Sequence, residues 1–316
     1  MATPSLAMVP SGYKDGKLYS VLPNNAGGDF DVTRGSLATR VNKNGLIEPV
    51  GTLGTDVVLN GDFEETGADQ VLNGDFSQEG SEIADNNTIG NLGGGIITKN
   101  SALNYSVVSD GTSGSSAFPR LSFDDTVAGK TYKLTVMPTN QSGTIDFSLY
   151  KGASYEFQNN TLSSEVTAYF VCEVSGAAHV NFDGNQTFGV DFTISLVEVG
   201  QNWSLGTGWS IGDDKVVANS VGSTNGTLQL DSIAIGTIYK ATFEVSEYQS
   251  GQVRINVGGL GQTGVGSLVS SNGVYTEFVT ADGTALYMQG RNGFVGSVSN
   301  ITVEEVGQEW ILSDGC

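Results

Sequence analysis

One block of this chain is written twice. Gly129-Lys130-Thr131-Tyr132-Lys133 returns as Gly236-Thr237-Ile238-Tyr239-Lys240, about 107 residues later. Leu121-Ser122-Phe123 matches Leu228-Gln229-Leu230, and Gln141-Ser142-Gly143 matches Gln249-Ser250-Gly251 with one residue inserted. Val199-Gly200-Gln201-Asn202-Trp203 matches Val306-Gly307-Gln308-Glu309-Trp310. Such a period is too long for a solenoid repeat and suits a small domain. The expected division is therefore an arm at 1–56, one module at 57–200 and a second at 201–316. A shorter duplication lies upstream, where Val58-Leu59-Asn60-Gly61-Asp62-Phe63 recurs as Val71-Leu72-Asn73-Gly74-Asp75-Phe76.

Within both copies the apolar residues alternate. Tyr132, Leu134 and Val136 interleave with Thr131, Lys133 and Thr135; Val190, Phe192, Ile194 and Leu196 interleave with Asp191, Thr193 and Ser195. In the second copy Tyr239, Ala241, Phe243 and Val245, then Val253, Ile255 and Val257, do the same. Period two with one apolar face describes a half-buried antiparallel strand. Turn dipeptides fall between the runs, among them Asn272-Gly273, Asp282-Gly283 and Asn292-Gly293. With 44 glycines, 6 prolines and only 15% charged residues, the composition excludes a helical bundle and a doubly wound α/β enzyme. The expectation is an all-β chain: an extended N-terminal arm, then two tandem antiparallel sandwiches of jelly-roll form.

Residues 1–56 lack sustained alternation and hold Pro4, Pro10, Pro23 and Pro49. Their apolar content is too small for an independent core, so the arm is expected to lie along another protein. Charge divides at the same place. The arm carries five basic and five acidic residues, and the remainder carries the whole net charge of −20. That field disfavours nucleic acid and anionic membranes as partners. The opening MATPSLAMVP has neither a basic nor an apolar region, so no signal peptide is expected, and no apolar run is long enough to span a bilayer. The two cysteines, Cys172 and Cys316, are too few for a disulfide framework.

The run Ser11-Gly12-Tyr13-Lys14-Asp15-Gly16-Lys17-Leu18-Tyr19-Ser20-Val21-Leu22-Pro23 is followed by Gly28-Asp29-Phe30-Asp31-Val32-Thr33-Arg34-Gly35-Ser36-Leu37-Ala38-Thr39-Arg40-Val41-Asn42 and Gly45-Leu46-Ile47-Glu48. It resembles the N-terminal signature of tailed-bacteriophage structural proteins of the fibre, appendage and decoration type, with leucine at 37 where that family commonly has serine. Asn73-Gly74-Asp75-Phe76, Gly208-Trp209-Ser210-Ile211 and Val298-Ser299-Asn300-Ile301-Thr302-Val303 resemble pieces of the carbohydrate-binding-module-like, galactose-binding-like jelly rolls that follow such arms. The resemblance implies a virion location and a homo-oligomer, often a trimer. It implies attachment to other virion proteins of head or tail through Tyr13, Leu18, Tyr19, Val21, Leu22, Phe30, Arg34, Arg40, Leu46 and Ile47.

Catalysis finds little material. His179 is the sole histidine and alternates outward from Ala178, Val180 and Phe182, which leaves nothing for a zinc site or a Ser-His-Asp triad. Adjacent carboxylates such as Asp124-Asp125 point to opposite faces of a strand. No enzyme and no required cofactor are expected. Related jelly rolls often hold a structural calcium, and Asp62, Glu64 and Asp75 are the candidate ligands here. The plainer reading makes Asn-Gly-Asp a turn anchored by Phe63 or Phe76. A glycan would stack on an aromatic platform, for which Trp209, Tyr287 and Tyr155 are the candidates. Trp203 and Trp310, at equivalent module ends, are expected to pack structurally. The functional expectation is a non-enzymatic virion structural protein displaying two sandwiches, with a carbohydrate-binding adhesin as the alternative.

Overall fold

The structure is a computed structural model. It describes residues 10–14, 17–20, 30–31, 38–41, 44–50, 64–112, 118–183, 185–222, 226–229, 233–258 and 263–307. The chain divides into two compact units, Met1–Gly61 and Asp62–Cys316.

Among the described residues the first unit holds five short strands: β1 (Pro10–Lys14), β2 (Lys17–Ser20), β3 (Phe30–Asp31), β4 (Ala38–Val41) and β5 (Ile47–Val50). β1, β2 and β3 form an antiparallel sheet with Tyr13 opposite Leu18 and Leu18 opposite Phe30. β4 pairs with β5, Arg40 facing Glu48 and Val41 facing Ile47. Of the residues expected to attach the arm, Leu46 is exposed; Val21, Leu22 and Arg34 lie outside the described residues.

The second unit is all-β among the described residues and antiparallel throughout. Its first strand is β6 (Thr66–Asp69). One sandwich follows, built from β7 (Glu79–Glu82), β8 (Asn87–Gly90), β9 (Gly95–Ser101), β10 (Asn104–Asp110), β11 (Arg120–Phe123), β12 (Thr131–Ser142), β13 (Asp146–Tyr150), β14 (Tyr155–Thr161), β15 (Val166–Val171), β16 (Ala178–Phe182) and β17 (Thr187–Val199). One sheet runs β15-β12-β17-β10-β9, with β7 paired along β17; the other runs β14-β13-β16-β11-β8. The alternating residues meet between them: Leu134, Val136, Phe192 and Ile194 from one sheet, Leu121, Phe147, Val180 and Phe182 from the other. Cys172 packs in the same core as a free thiol, its Sγ donating to the Val174 carbonyl.

The second sandwich contains β18 (Trp203–Ser204), β19 (Trp209–Gly212), β20 (Lys215–Val221), β21 (Gly226–Gln229), β22 (Ile238–Gly258), β23 (Gly273–Thr280) and β24 (Ala285–Val306). β22 and β24 pair along nearly their full length. The matching residues of the first sandwich are broken into separate strands in opposite sheets, β12 and β13, β16 and β17. Here the strands bend instead of breaking. Asn292 and Gly293, expected as a chain reversal, both have positive φ (55° and 71°) and sit inside β24. Consecutive left-handed residues insert a bulge that bends a strand without ending it.

The sequence boundary at 57 groups Thr66–Phe76 with the first module, but the fold places these residues in the second. β6 pairs with β24, Asp69 opposite Glu304 and Thr66 opposite Val306. Val71 and Phe76 are buried in the second core, and the Phe76 ring lies 5.0 Å from that of Trp203. The first sandwich is thus inserted between the opening strand of the second and its remainder. The two also share a wall. On β17, Ile194 and Leu196 enter the first core while Val197 and Val199 enter the second.

Candidate functional site

The sheet β14-β13-β16-β11-β8 turns Phe147, Leu149, Val180 and Phe182 inward. The same alternation turns Ser148, Tyr150, His179 and Asn181 the other way. Ser148 lies opposite Asn181, and Tyr150 opposite His179. A cleft of about 250 Å³ opens here, lined by Phe118, Ser148, Tyr155, Gln158, Asn159, Asn181 and Asp183.

Each wall has a local cause. Asn159 adopts φ 54°, and its N–H donates to Ser148 Oγ at 3.0 Å, tying β14 to β13. The Asp183 carboxylate accepts from the Asn185 N–H at 3.0 Å. Tyr155 is 39% exposed and meets the ring of Tyr150 edge-on at 5.1 Å. Tyr150 in turn lies 4.7 Å from the His179 ring. The cleft therefore presents part of an aromatic ring beside amide, hydroxyl and carboxylate groups. Those groups donate and accept hydrogen bonds as sugar hydroxyls require, and the ring offers an apolar face.

His179 is half-buried, and its Nδ1 lies 3.0 Å from the Ala177 carbonyl. Burial, then a contact with Ala177 that opposes it, then the Arg120 charge, leave its pKa below the usual histidine value. It touches the Tyr150 ring and a backbone oxygen.

The three expected platform residues separate. Tyr155 lines the cleft. Trp209 is only 6% exposed, with its ring 6.0 Å from Phe294, so most of it fills the second core. Trp203 is likewise buried against Phe76, and its Nε1 donates to the Asn73 carbonyl at 2.9 Å. Both tryptophans, with Leu205 and Val171, line a groove of about 560 Å³ at the junction of the sandwiches, where Lys130 and Glu198 pair at 3.0 Å. Tyr287 is half-buried on β24, opposite Asn256. Trp310 lies outside the described residues.

Two of the three candidate calcium ligands, Glu64 and Asp75, lie among the described residues. Asp62 lies outside the described residues, and Glu64 is exposed. Asp75 accepts from the Ser77 hydroxyl at 2.8 Å and from the Ser77 N–H at 3.2 Å, contacts that hold its pKa below the usual carboxylate range. No group of three His, Cys, Asp or Glu residues suited to a metal occurs among the described residues. Calcium takes six or more oxygens, and the two described candidates, Glu64 and Asp75, are both exposed. Asn73-Gly74-Asp75-Phe76 forms a turn anchored by a buried phenylalanine.

Sequence reasoning passed over Asn181, although the parity that turns His179 outward turns Asn181 outward too. Phe118, Gln158 and Asn159 carried no such signal, because they reach the cleft from segments distant in sequence.

No protein-family model matches the chain, and no curated protein matches it. Among solved structures it is similar to the N-terminal CBM22-1–CBM22-2 tandem domain of Paenibacillus barcinonensis Xyn10C, at 10% identity over 75% of this chain and 100% of that one, with a TM-score of 0.27. It is also similar to Paenibacillus xanthan lyase, at 13% identity over 73% of this chain and 27% of that one, with a TM-score of 0.25.

Proposed function

We propose that this protein is a non-catalytic carbohydrate-binding protein whose first sandwich takes a neutral glycan in the Tyr155 cleft. The observation that carries this reading is the partly exposed Tyr155 ring in a cleft with Ser148, Gln158, Asn159, Asp183 and the largely buried Asn181. No catalytic residue and no cofactor enter it. A glycan array probed with the full chain and with Tyr155→Ala and Asn181→Ala tests it. Both variants are expected to lose the neutral-glycan signal while keeping the wild-type circular dichroism. Unchanged binding by Tyr155→Ala would sink the assignment.

The arm's sequence favours a setting for that binding. The run from Ser11 to Glu48 resembles the attachment signature of phage structural proteins, and its neutral charge contrasts with the acidic sandwiches. In this second reading the arm docks on other virion proteins, the chain assembles as a homo-oligomer such as a trimer, and the sandwiches face outward. Their acidity keeps copies soluble and apart. Deleting residues 1–50 should abolish incorporation into particles; continued incorporation would place the docking surface in the sandwiches.

A further inference from the structure

In the register of the repeat, Ser148 and Asn181 of the first sandwich match Asn256 and Tyr287 of the second. The neighbouring pair, Arg254 and Gln289, face each other across β22 and β24. Val253, Ile255, Val257, Leu286 and Met288 point into the core, so Arg254, Asn256, Tyr287 and Gln289 line the other face.

The hydrogen bonding there is out of balance. The Gln289 Oε1 has two lone pairs. It is approached by Arg254 Nε at 3.0 Å, Asn256 Nδ2 at 3.4 Å, Arg291 Nε at 3.4 Å and Arg291 Nη2 at 3.5 Å. One neutral oxygen thus faces donors from two cations and an amide. Neither arginine has an ion pair among the described residues, in a chain with 34 acidic residues against 14 basic ones. Burial and then the neighbouring Arg291 charge depress the Arg254 pKa. Close by, Asn256 is fully buried, and its Oδ1 has no hydrogen-bond partner. Unmet polar groups of this kind call for an explanation.

We propose that this face binds the carboxylate of an acidic sugar, a uronic-acid residue, with Arg254 and Arg291 as its two forks. The inference rests on the glycan-binding reading and gives the second sandwich its own ligand class. A carboxylate supplies the acceptor oxygens and the negative charge that the pair lacks. Its planar geometry matches guanidinium in paired hydrogen bonds. A sugar, rather than an acidic peptide, suits the position: the half-buried Tyr287 ring stands on the same face, which corresponds to the Tyr155 cleft of the first sandwich. Serine and asparagine line the cleft of one sandwich and two arginines converge on this face of the other, which divides the pair into a neutral and an acidic reader.

Calorimetry on the full chain at low salt tests this with tetrasaccharides of galacturonic, glucuronic and mannuronic acid, each beside its carboxyl-reduced counterpart. At least one acid form should bind about tenfold or more tighter than its reduced form, a difference of about 1.4 kcal/mol. The preference should vanish in the Arg254→Gln/Arg291→Gln double variant and persist in Tyr155→Ala. Should the double variant unfold, the wild type still decides: the acid tetrasaccharide should shift the arginine Nε–H resonances of 254 and 291 saturably. Equal affinity for acid and reduced forms, no binding of any acid form, or unmoved Nε–H signals would overturn the proposal. Loss of neutral-glycan binding in Tyr155→Ala reports separately on the first cleft.

Discussion

Asp69 and Glu82 make the same set of hydrogen bonds in different sandwiches. The Asp69 carboxylate accepts from the N–H of Val71 at 3.0 Å and of Val303 at 2.8 Å. The Glu82 carboxylate accepts from the N–H of Ala84 at 2.8 Å and of Leu196 at 2.8 Å. The following residue completes each clamp: Gln70 N–H donates to the Val303 carbonyl and Ile83 N–H to the Leu196 carbonyl. Each clamp fastens an opening strand to the closing strand of its sandwich.

Removing either carboxylate leaves a strand amide without its acceptor. Asp69→Ala and Glu82→Ala should each cost roughly 1–2 kcal/mol. Hydrogen exchange resolves them: Asp69→Ala should speed exchange at Val303 while leaving Leu196 protected, and Glu82→Ala should do the reverse. Equal effects on both amides would show that the clamps are not local.

The inserted topology predicts how fragments behave. A fragment of residues 201–316 lacks β6, Val71 and Phe76, so Trp203 loses its ring partner and β24 loses a neighbour. It should give a poorly dispersed NMR spectrum, and a synthetic peptide of residues 64–78 should restore dispersion. A well-dispersed spectrum from the fragment alone would contradict the assignment of β6 to the second sandwich.

Gly74 is needed for closeness rather than for conformational freedom. A Cβ there would stand 2.0 Å from the Ile301 carbonyl oxygen, a backbone atom, while the Gly74 carbonyl accepts from the Ile301 N–H at 3.0 Å. Gly74→Ala should destabilise the second sandwich by about 1–3 kcal/mol, the usual cost of forcing extra atoms into a packed site. Chemical denaturation followed by tryptophan fluorescence should report it through Trp203. An unchanged midpoint would mean that β24 gives way freely.

His179 sets a pH dependence of known sign. Its pKa in the folded chain is lowered, chiefly by burial, from a starting value of 6.5, so the fold favours the neutral ring. The stabilisation is complete above that value. As pH falls through it, the unfolded chain takes up a proton that the folded chain refuses, and stability declines until the folded ring protonates as well. Because the chain has one histidine, the difference between wild type and His179→Gln isolates this effect. The difference in unfolding midpoint should change between pH 7 and 5.5, falling on the acid side; a flat difference would show a ring that titrates freely.

The amphipathic strands were legible because their signal is local. Leu134 or Phe192 is buried because its strand neighbours are polar and the pleat alternates. The repeat was legible because both copies kept the same turn and strand residues. Trp209 misled because its sequence shows a ring beside glycine and serine but not the Phe294 ring that covers it. Asn292-Gly293 misled because two left-handed residues serve a hairpin turn and a strand bulge equally well.

By itself the sequence determined an all-β chain, two related sandwiches, the faces of their strands and the contrast between a neutral arm and acidic modules. Those properties follow from residue type and spacing within a few positions. Only the tertiary structure decided that Thr66–Phe76 completes the second sandwich, that Tyr155 and Asn181 share a cleft, and that Arg254 and Arg291 converge on Gln289. The hydrogen bond from Val303 to Asp69 joins positions separated by 234 in sequence. Pairings at that range depend on which closing strand offers free backbone groups and a matching apolar face, information that no local stretch of chain contains.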